Sequence, residues 1–155
     1  MHWFRAITKD EKNLTPVAEA LEYFQVEYEE GQAELKVKGR RIDDVACKLP
    51  GIMEYRFAQY QELETILQYL EKVETKALIE QTQWFMANYP RQIPEHTARK
   101  YAEVEPNVFA LTKIKLEVAT VRNNFLALFK GIEALHYQVR NIVMLRTAGF
   151  DDATF

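Results

Sequence analysis

The sequence predicts an all-α protein: an elongated antiparallel hairpin of two long helices, with an additional helix on its N-terminal side. Three observations carry this. From Leu111 onward, apolar residues fall at Leu111, Ile114, Val118, Val121, Phe125, Leu128, Ile132, Leu135, Val139 and Ile142. These unbroken steps of three and four keep one helix face apolar. The stretch Ile52 to Ala87 has neither glycine nor proline. It carries a heptad seam at Tyr60, Leu63, Leu67, Leu70, Glu74, Ala77, Gln81 and Trp84, with two polar interruptions. Finally, five glycines and five prolines in 155 residues are too few for the tight turns of a β-sandwich.

Residues 1–14 read as a mixed lead-in, and residues 15–150 as one helical domain. Thr15-Pro16 is a helix start, because a Thr oxygen can cap free N–H groups and Pro fits the first turn. That first helix is expected over about 16–38, with Gly31 weakening it by ~1 kcal/mol relative to Ala. FQVEY and ELKVK each alternate, so a β-hairpin turning at Gly31 competes over residues 22–38; the Ala, Leu and Glu content favours helix. Gly39 ends it, and Arg40 to Lys48 forms a short helix or turn closed by Pro50-Gly51. The long helices are expected over about 52–87 and 107–148. Pro90 and Pro94 break the chain between them, and a short helix, 94–102, intervenes. Gly149 stops the last helix before an acidic tail, 151–155.

Helices of this length span roughly 55 and 60 Å at 1.5 Å per residue, far beyond the ~15 Å radius of gyration of a compact chain of this size. Phe57, Ile66, Val73, Ile79, Phe85, Phe109, Leu116, Phe129 and Val143 lie off the two seams. That surplus apolar surface needs either the first helix or a second copy, so self-association is expected, with full cover by the first helix as the alternative.

Catalytic signatures are missing. The sequence has no phosphate-binding glycine loop, no HExxH, no GxSxG and no CxxC. His2, His96 and His136 lack His or Cys partners at helical spacing, and Glu133 with His136 is two residues short of a metal site. Cys47, beside Lys48, reads as a small buried residue rather than a reactive thiol. Asp43-Asp44 and Asp151-Asp152 are adjacent and point apart. A non-enzyme without cofactor or metal is expected. No apolar run reaches the ~18–20 residues of a membrane span, the first residues lack an export signal, and one cysteine fits a reducing compartment; the cytoplasm is the expected location.

The net charge is −3, but it is unevenly spread. All charged residues from Glu19 to Glu34 are acidic, read here as a solvated face, whereas Lys and Arg dominate from Asn107 to Phe150. Cations recur beside aromatics: Lys72 and Lys76 upstream of Trp84-Phe85, Arg91 after Tyr89, Arg99-Lys100 before Tyr101, and Arg140 after Tyr137. Such mixtures bind single-stranded DNA, cations meeting phosphates and rings stacking on bases. The same aromatics at helical spacing also suit a core.

The stretch HYQVRNIVMLRTAGFDDATF runs through Tyr137, Gln138, Val139, Arg140, Asn141, Ile142 and Arg146. It resembles the C-terminal end of the UvsY family of T-even-type and related marine bacteriophages. There an aromatic, Gln or Ala, an aliphatic, a basic residue, Asn or His, Ile and a later Arg follow one another. ANYPRQIPEHTARKYAEVEPNVF, ELKVKGRRIDDVACKLP and MEYRFAQYQELETIL extend the resemblance over most of the chain from about Tyr23. It implies a recombination mediator that binds single-stranded DNA, assembles as a ring-like homo-oligomer, and helps a phage RecA-type recombinase displace the phage single-strand-binding protein. It also implies self-assembly through the last helix, at Leu128, Ile132, Leu135, Val139 and Ile142. The sequence departs from the family in KALIEQTQWF, where Ile79 and Gln81 stand where a basic pair is expected. The expected DNA-binding set is therefore Lys72, Lys76, Arg91, Arg99, Lys100 and Arg140. An oligomeric helical scaffold without DNA binding is the competing expectation.

Overall fold

In the computed structural model, which describes all residues except 1, 12, 151 and 155, five helices form and no described residue is in a strand: α1 (His2–Ile7), α2 (Thr15–Glu34), α3 (Ile42–Asn88), α4 (Glu95–Glu103) and α5 (Pro106–Thr147). At 1.5 Å per residue, α3 and α5 are about 70 and 63 Å long. Phe57 meets Phe129 (centroids 5.0 Å apart), Glu64 binds Arg122 (3.1 Å), and Glu74 binds Thr112 and Lys115. Numbers rise along α3 as they fall along α5, so the two helices pack in opposite directions.

All ten apolar positions of the α5 stripe are at least half-buried, and Val118, Phe125, Leu128, Ile132, Leu135, Val139 and Ile142 are fully so. On α3 the buried face runs through Leu63, Ile66, Leu67, Leu70 and Val73. Ile66 and Val73, expected off the seam, are thus core, and Trp84, expected on it, is 55% exposed. Ile66 and Trp84 are 18 residues, five full turns, apart and share a helix face, so their difference is one of position along α3: α5 starts only at Pro106, and by the register of the pairs above Trp84 lies beyond its first residue.

Three element boundaries correct the sequence reading. The mixed lead-in contains a helix: α1 buries Ile7, sets Phe4 edge-on to Tyr69 (6.3 Å) and donates the Phe4 N–H to Glu62 Oε1 (3.1 Å). Six residues are too few to display a helical period. α2 starts at Thr15 with Pro16 in its first turn, but the expected Thr15 cap is absent: the N-cap position is Leu14, no side chain caps the helix there, and the Thr15 N–H donates to Asn13 Oδ1 (3.1 Å). It stops at Glu34, before the expected Lys38, and the competing β-hairpin is absent. Finally, α3 begins at Ile42 and runs through Pro50-Gly51 without ending. Val45 and Leu49 are buried there while Ala46, whose carbonyl loses its partner to the proline, is exposed. Core burial on one side and water on the other offset the missing bond. The same inward turn leaves Cys47, expected to be buried, on the outer face.

Gly31 and Gly131 mark where α2 meets α5. A Cβ on Gly31 would lie 2.3 Å from Leu128 Cδ2, and one on Gly131 would lie 3.0 Å from Leu35 Cδ1. Each glycine is the notch for a leucine of the opposite segment, which is why α2 tolerates a residue of poor helix propensity.

A polar network fastens α2 to α3. Arg56, 1% exposed, donates from Nη1 to Glu27 Oε2 (2.7 Å) and from Nε to Glu34 Oε2 (2.9 Å). Gln59 Nε2 and the Tyr55 hydroxyl also donate to Glu27 (2.8 and 3.1 Å). Two of the six acids in the Glu19–Glu34 stretch are therefore structural. Burial pushes the Glu27 carboxyl up, but hydrogen bonds from Gln59, Tyr23, Arg56 and Tyr55 together hold it below its ordinary value. Burial likewise raises Glu74, and the bonds from Lys115 and Thr112 outweigh it. A depressed folded-state value contributes stability that is present above the ordinary carboxylate range, about 4.3, and lost as pH falls through the folded value. Urea midpoints measured from neutral pH downward are expected to fall below about pH 5, and less steeply in Glu74→Gln. An identical decline in that variant would show that Glu74 contributes nothing to the acid sensitivity.

Candidate nucleic-acid interface

At one end of the bundle α3 stops at Asn88, α4 crosses, and α5 starts at Pro106. Ala98 and Ala102 have no exposed surface; their small side chains let α4 lie close to its neighbours. That places Arg99 and Lys100 on the outer side of α4. The Tyr89 and Tyr101 rings stack at 5.5 Å and 12°, bringing the segment after α3 against α4 and Arg91 onto the same tip. Phe85 packs on Tyr101 (5.8 Å) and Trp84 edge-on against Phe85 (5.1 Å, 84°). An open groove of about 570 Å³ runs past Trp84, Phe85, Tyr101 and Val104 to Pro106. The Tyr101 hydroxyl, by a hydrogen bond and then by its charge, holds the Tyr89 phenol above its ordinary value.

The six cations expected to bind DNA separate into three places. Arg91, Arg99 and Lys100 share the tip; Arg99 contacts Glu103 (3.4 Å), while no ion pair among the described residues involves Arg91 or Lys100. Lys72 and Lys76 lie 16 and 12 residues before the end of α3, about 24 and 18 Å away along the helix. They line an open depression of about 680 Å³ with Ile79, Glu71 and Glu80. Lys76 is bound to Glu11 (2.9 Å), whose hydrogen bond and charge raise it above its ordinary value. Arg140 is 34 residues along α5 from Pro106, about 51 Å.

Leu128, Ile132, Leu135, Val139 and Ile142, expected at contacts between copies, are buried within the single chain. Their stripe faces the chain's own helices, so it offers no surface to a second copy while this packing holds. The apolar residues that α5 leaves exposed are others: Phe109, Leu116, Tyr137, Val143, Met144 and Leu145.

Sequence reasoning also missed the cations that gather near the end of α5. The run KVKGRR, Lys36 to Arg41, places four cations in six residues, and the fold sets Arg40 and Arg41 near Arg146. The signal was present as a charge run; nothing in it showed that the end of α5 packs beside it.

Among the described residues no group of three His, Cys, Asp or Glu side chains could hold a metal ion, and no helix is long and apolar enough to cross a membrane. No protein-family model, no curated protein and no solved structure matches the chain.

Proposed function

We propose that the protein is a recombination mediator: an oligomeric helical protein, ring-like when assembled, that binds single-stranded DNA and helps load a phage RecA-type recombinase onto strand coated by a single-strand-binding protein. The observation that carries this is the tip. Exposed rings of Trp84, Tyr89 and Tyr101 stand beside Arg91, Arg99 and Lys100. Cations release counterions from phosphates, and rings stack on bases at ~1–3 kcal/mol per base without demanding a sequence. The resemblance of the C-terminal and central stretches to the UvsY family supports the same reading. Repetition of the tip around a ring turns a weak site into an avid one, and a strand bent along it is loosened from its coat. The recombinase carries the nucleotide hydrolysis. The expected setting is the cytoplasm of an infected host cell.

Replacing Arg99 and Lys100 together by Ala is expected to weaken binding of a fluorescent single-stranded oligonucleotide. It should also reduce the slope of log K against log salt by about 1.4, at ~0.7 per phosphate contact. An unchanged slope would remove these two residues from the interface. Loading is read separately, as recombinase ATPase activity on coated strand with and without the protein.

The second reading is an oligomeric scaffold without DNA binding. It is favoured by the exposed apolar residues of α5, from Phe109 and Leu116 to Val143 and Met144, which suit a contact between copies. A clean oligomer with no affinity for single strand at low salt would select it.

A further inference from the structure

At the end of the bundle opposite the tip, the turn after α2, the start of α3 and the end of α5 converge. Gly39, at φ +78°, makes the reversal between α2 and α3. A groove of about 620 Å³ there is lined by Arg40, Arg41, Ala46, Val143 and Arg146. A second groove, about 320 Å³, holds His136 and Arg140 and shares Ala46 and Val143 with the first. Three arginines from two segments, Arg40, Arg41 and Arg146, thus line the first groove, and a fourth, Arg140, lines the second beside it.

Part of this charge is offset: Asp43 lines the first groove, and Glu34 and Asp44 share a neighbouring hollow with Arg40 and Lys48. Arg41 is held by Asp43 (Nη2 to Oδ2, 2.5 Å). Arg146 Nε donates only to the neutral Ala153 carbonyl (2.9 Å). No ion pair among the described residues involves Lys36, Lys38, Arg40, Lys48, Arg140 or Arg146, and all six are exposed. In a chain of net charge −3, this is a concentration of cations without a close ion pair. Two exposed rings belong to the same end of α5: Tyr137, 62% exposed and one turn before Arg140, and Phe150, 64% exposed and tied back to α5 by its N–H to Leu145 O (3.0 Å).

We propose that this base groove is a second binding site for the phosphate backbone of single-stranded nucleic acid, distinct from the tip about 50 Å away along α5. Guanidinium forks match phosphate oxygens two at a time, and the exposed rings on this end of α5 offer stacking surfaces. An acidic protein partner would use the arginines but has no need of the bare rings. The inference rests on the single-strand reading of the tip and extends it: a strand engaged at both ends runs the length of the protomer.

The test compares three proteins: the wild type, the tip variant Arg99→Ala/Lys100→Ala, and the base variant Arg40→Ala/Arg140→Ala/Arg146→Ala. Each is titrated into fluorescent short and long thymidine oligonucleotides across a salt series, with a thermal melt to confirm folding. The base variant is expected to lose roughly 100-fold in affinity for the long strand at 0.1 M salt, with its salt slope reduced by about 2. The corresponding Arg→Lys triple, which keeps the charge, is expected to lose less than tenfold. If the base variant binds like the wild type while the tip variant is weakened, the base site is overturned and the mediator reading stands. If the wild type binds no single strand, both fall. If the base variant keeps its strand affinity but changes the sedimentation of DNA-free protein, the groove is a contact between copies and the proposal fails.

Discussion

Arg56→Ala is expected to lower the unfolding free energy by about 3–5 kcal/mol, the usual cost of removing one partner from a buried charge pair. At an m-value near 2 kcal/mol/M this moves the urea midpoint down by about 2 M. The physical reason is that Arg56 is 1% exposed and answers two carboxylates, Glu27 and Glu34. Burial works against its charge, yet Glu34 and Glu27 hold it above the ordinary guanidinium range. Without it, two half-buried acids on α2 face a void, and Gln59 loses the donor to its Oε1 (3.0 Å). The charge origin is checked by placing Arg56→Met in a Glu27→Gln/Glu34→Gln background, where no uncompensated charge remains. The loss on going from Arg to Met there is expected to be much smaller. An equal loss in both backgrounds would assign Arg56 a packing role rather than an electrostatic one.

Phe125→Ala is expected to cost about 3–5 kcal/mol, the range for emptying a buried aromatic site. Phe125 has no exposed surface. Its ring meets Phe24 edge-on (5.6 Å, 82°) and Tyr28 at 6.0 Å, so it links α2 to the long-helix pair. Edge contacts of this kind add ~0.5–1.5 kcal/mol beyond area burial. Phe109→Ala is the matched control: same helix, same chemistry, 62% exposed, with an expected change within about 0.5 kcal/mol. Similar losses at the two positions would mean that residue 125 is not the centre of the core. Because Phe125 is the one fully buried aromatic of α5 that contacts α2, loss of α2 docking is the expected structural consequence, read as faster hydrogen exchange in α2.

The candidate interface was partly legible. Arg99, Lys100 and Tyr101 follow each other in the chain, so their shared position on α4 could be read directly. That Tyr89 lies against Tyr101 could not, because it depends on how the chain turns at Pro90 and Pro94. Arg140 was singled out by its neighbour Tyr137. Its place in a groove adjoining the one lined by Arg40, Arg41 and Arg146 is a consequence of segments about 100 residues apart in sequence meeting.

What the sequence by itself determined was local and periodic. Ten apolar positions on α5 specified a helix and its buried face, because 3.6 residues per turn leaves little freedom over 32 residues. Pro16 and Pro106 set two helix starts, and Gly149, at φ +93°, stood just past the last stop. Only tertiary structure decided the rest. It carried α3 through Pro50, because Val45 and Leu49 found a core to enter. It buried Ile66 and Val73 and left Trp84, five turns on from Ile66 and on the same face, exposed, because α5 covers only part of the length of α3. It turned Gly31 from a helix breaker into a notch for Leu128, and it converted Glu27 and Glu34 from solvated acids into partners of a buried arginine. Each of these depends on a segment distant in sequence arriving at a particular distance, and no local pattern encodes that distance.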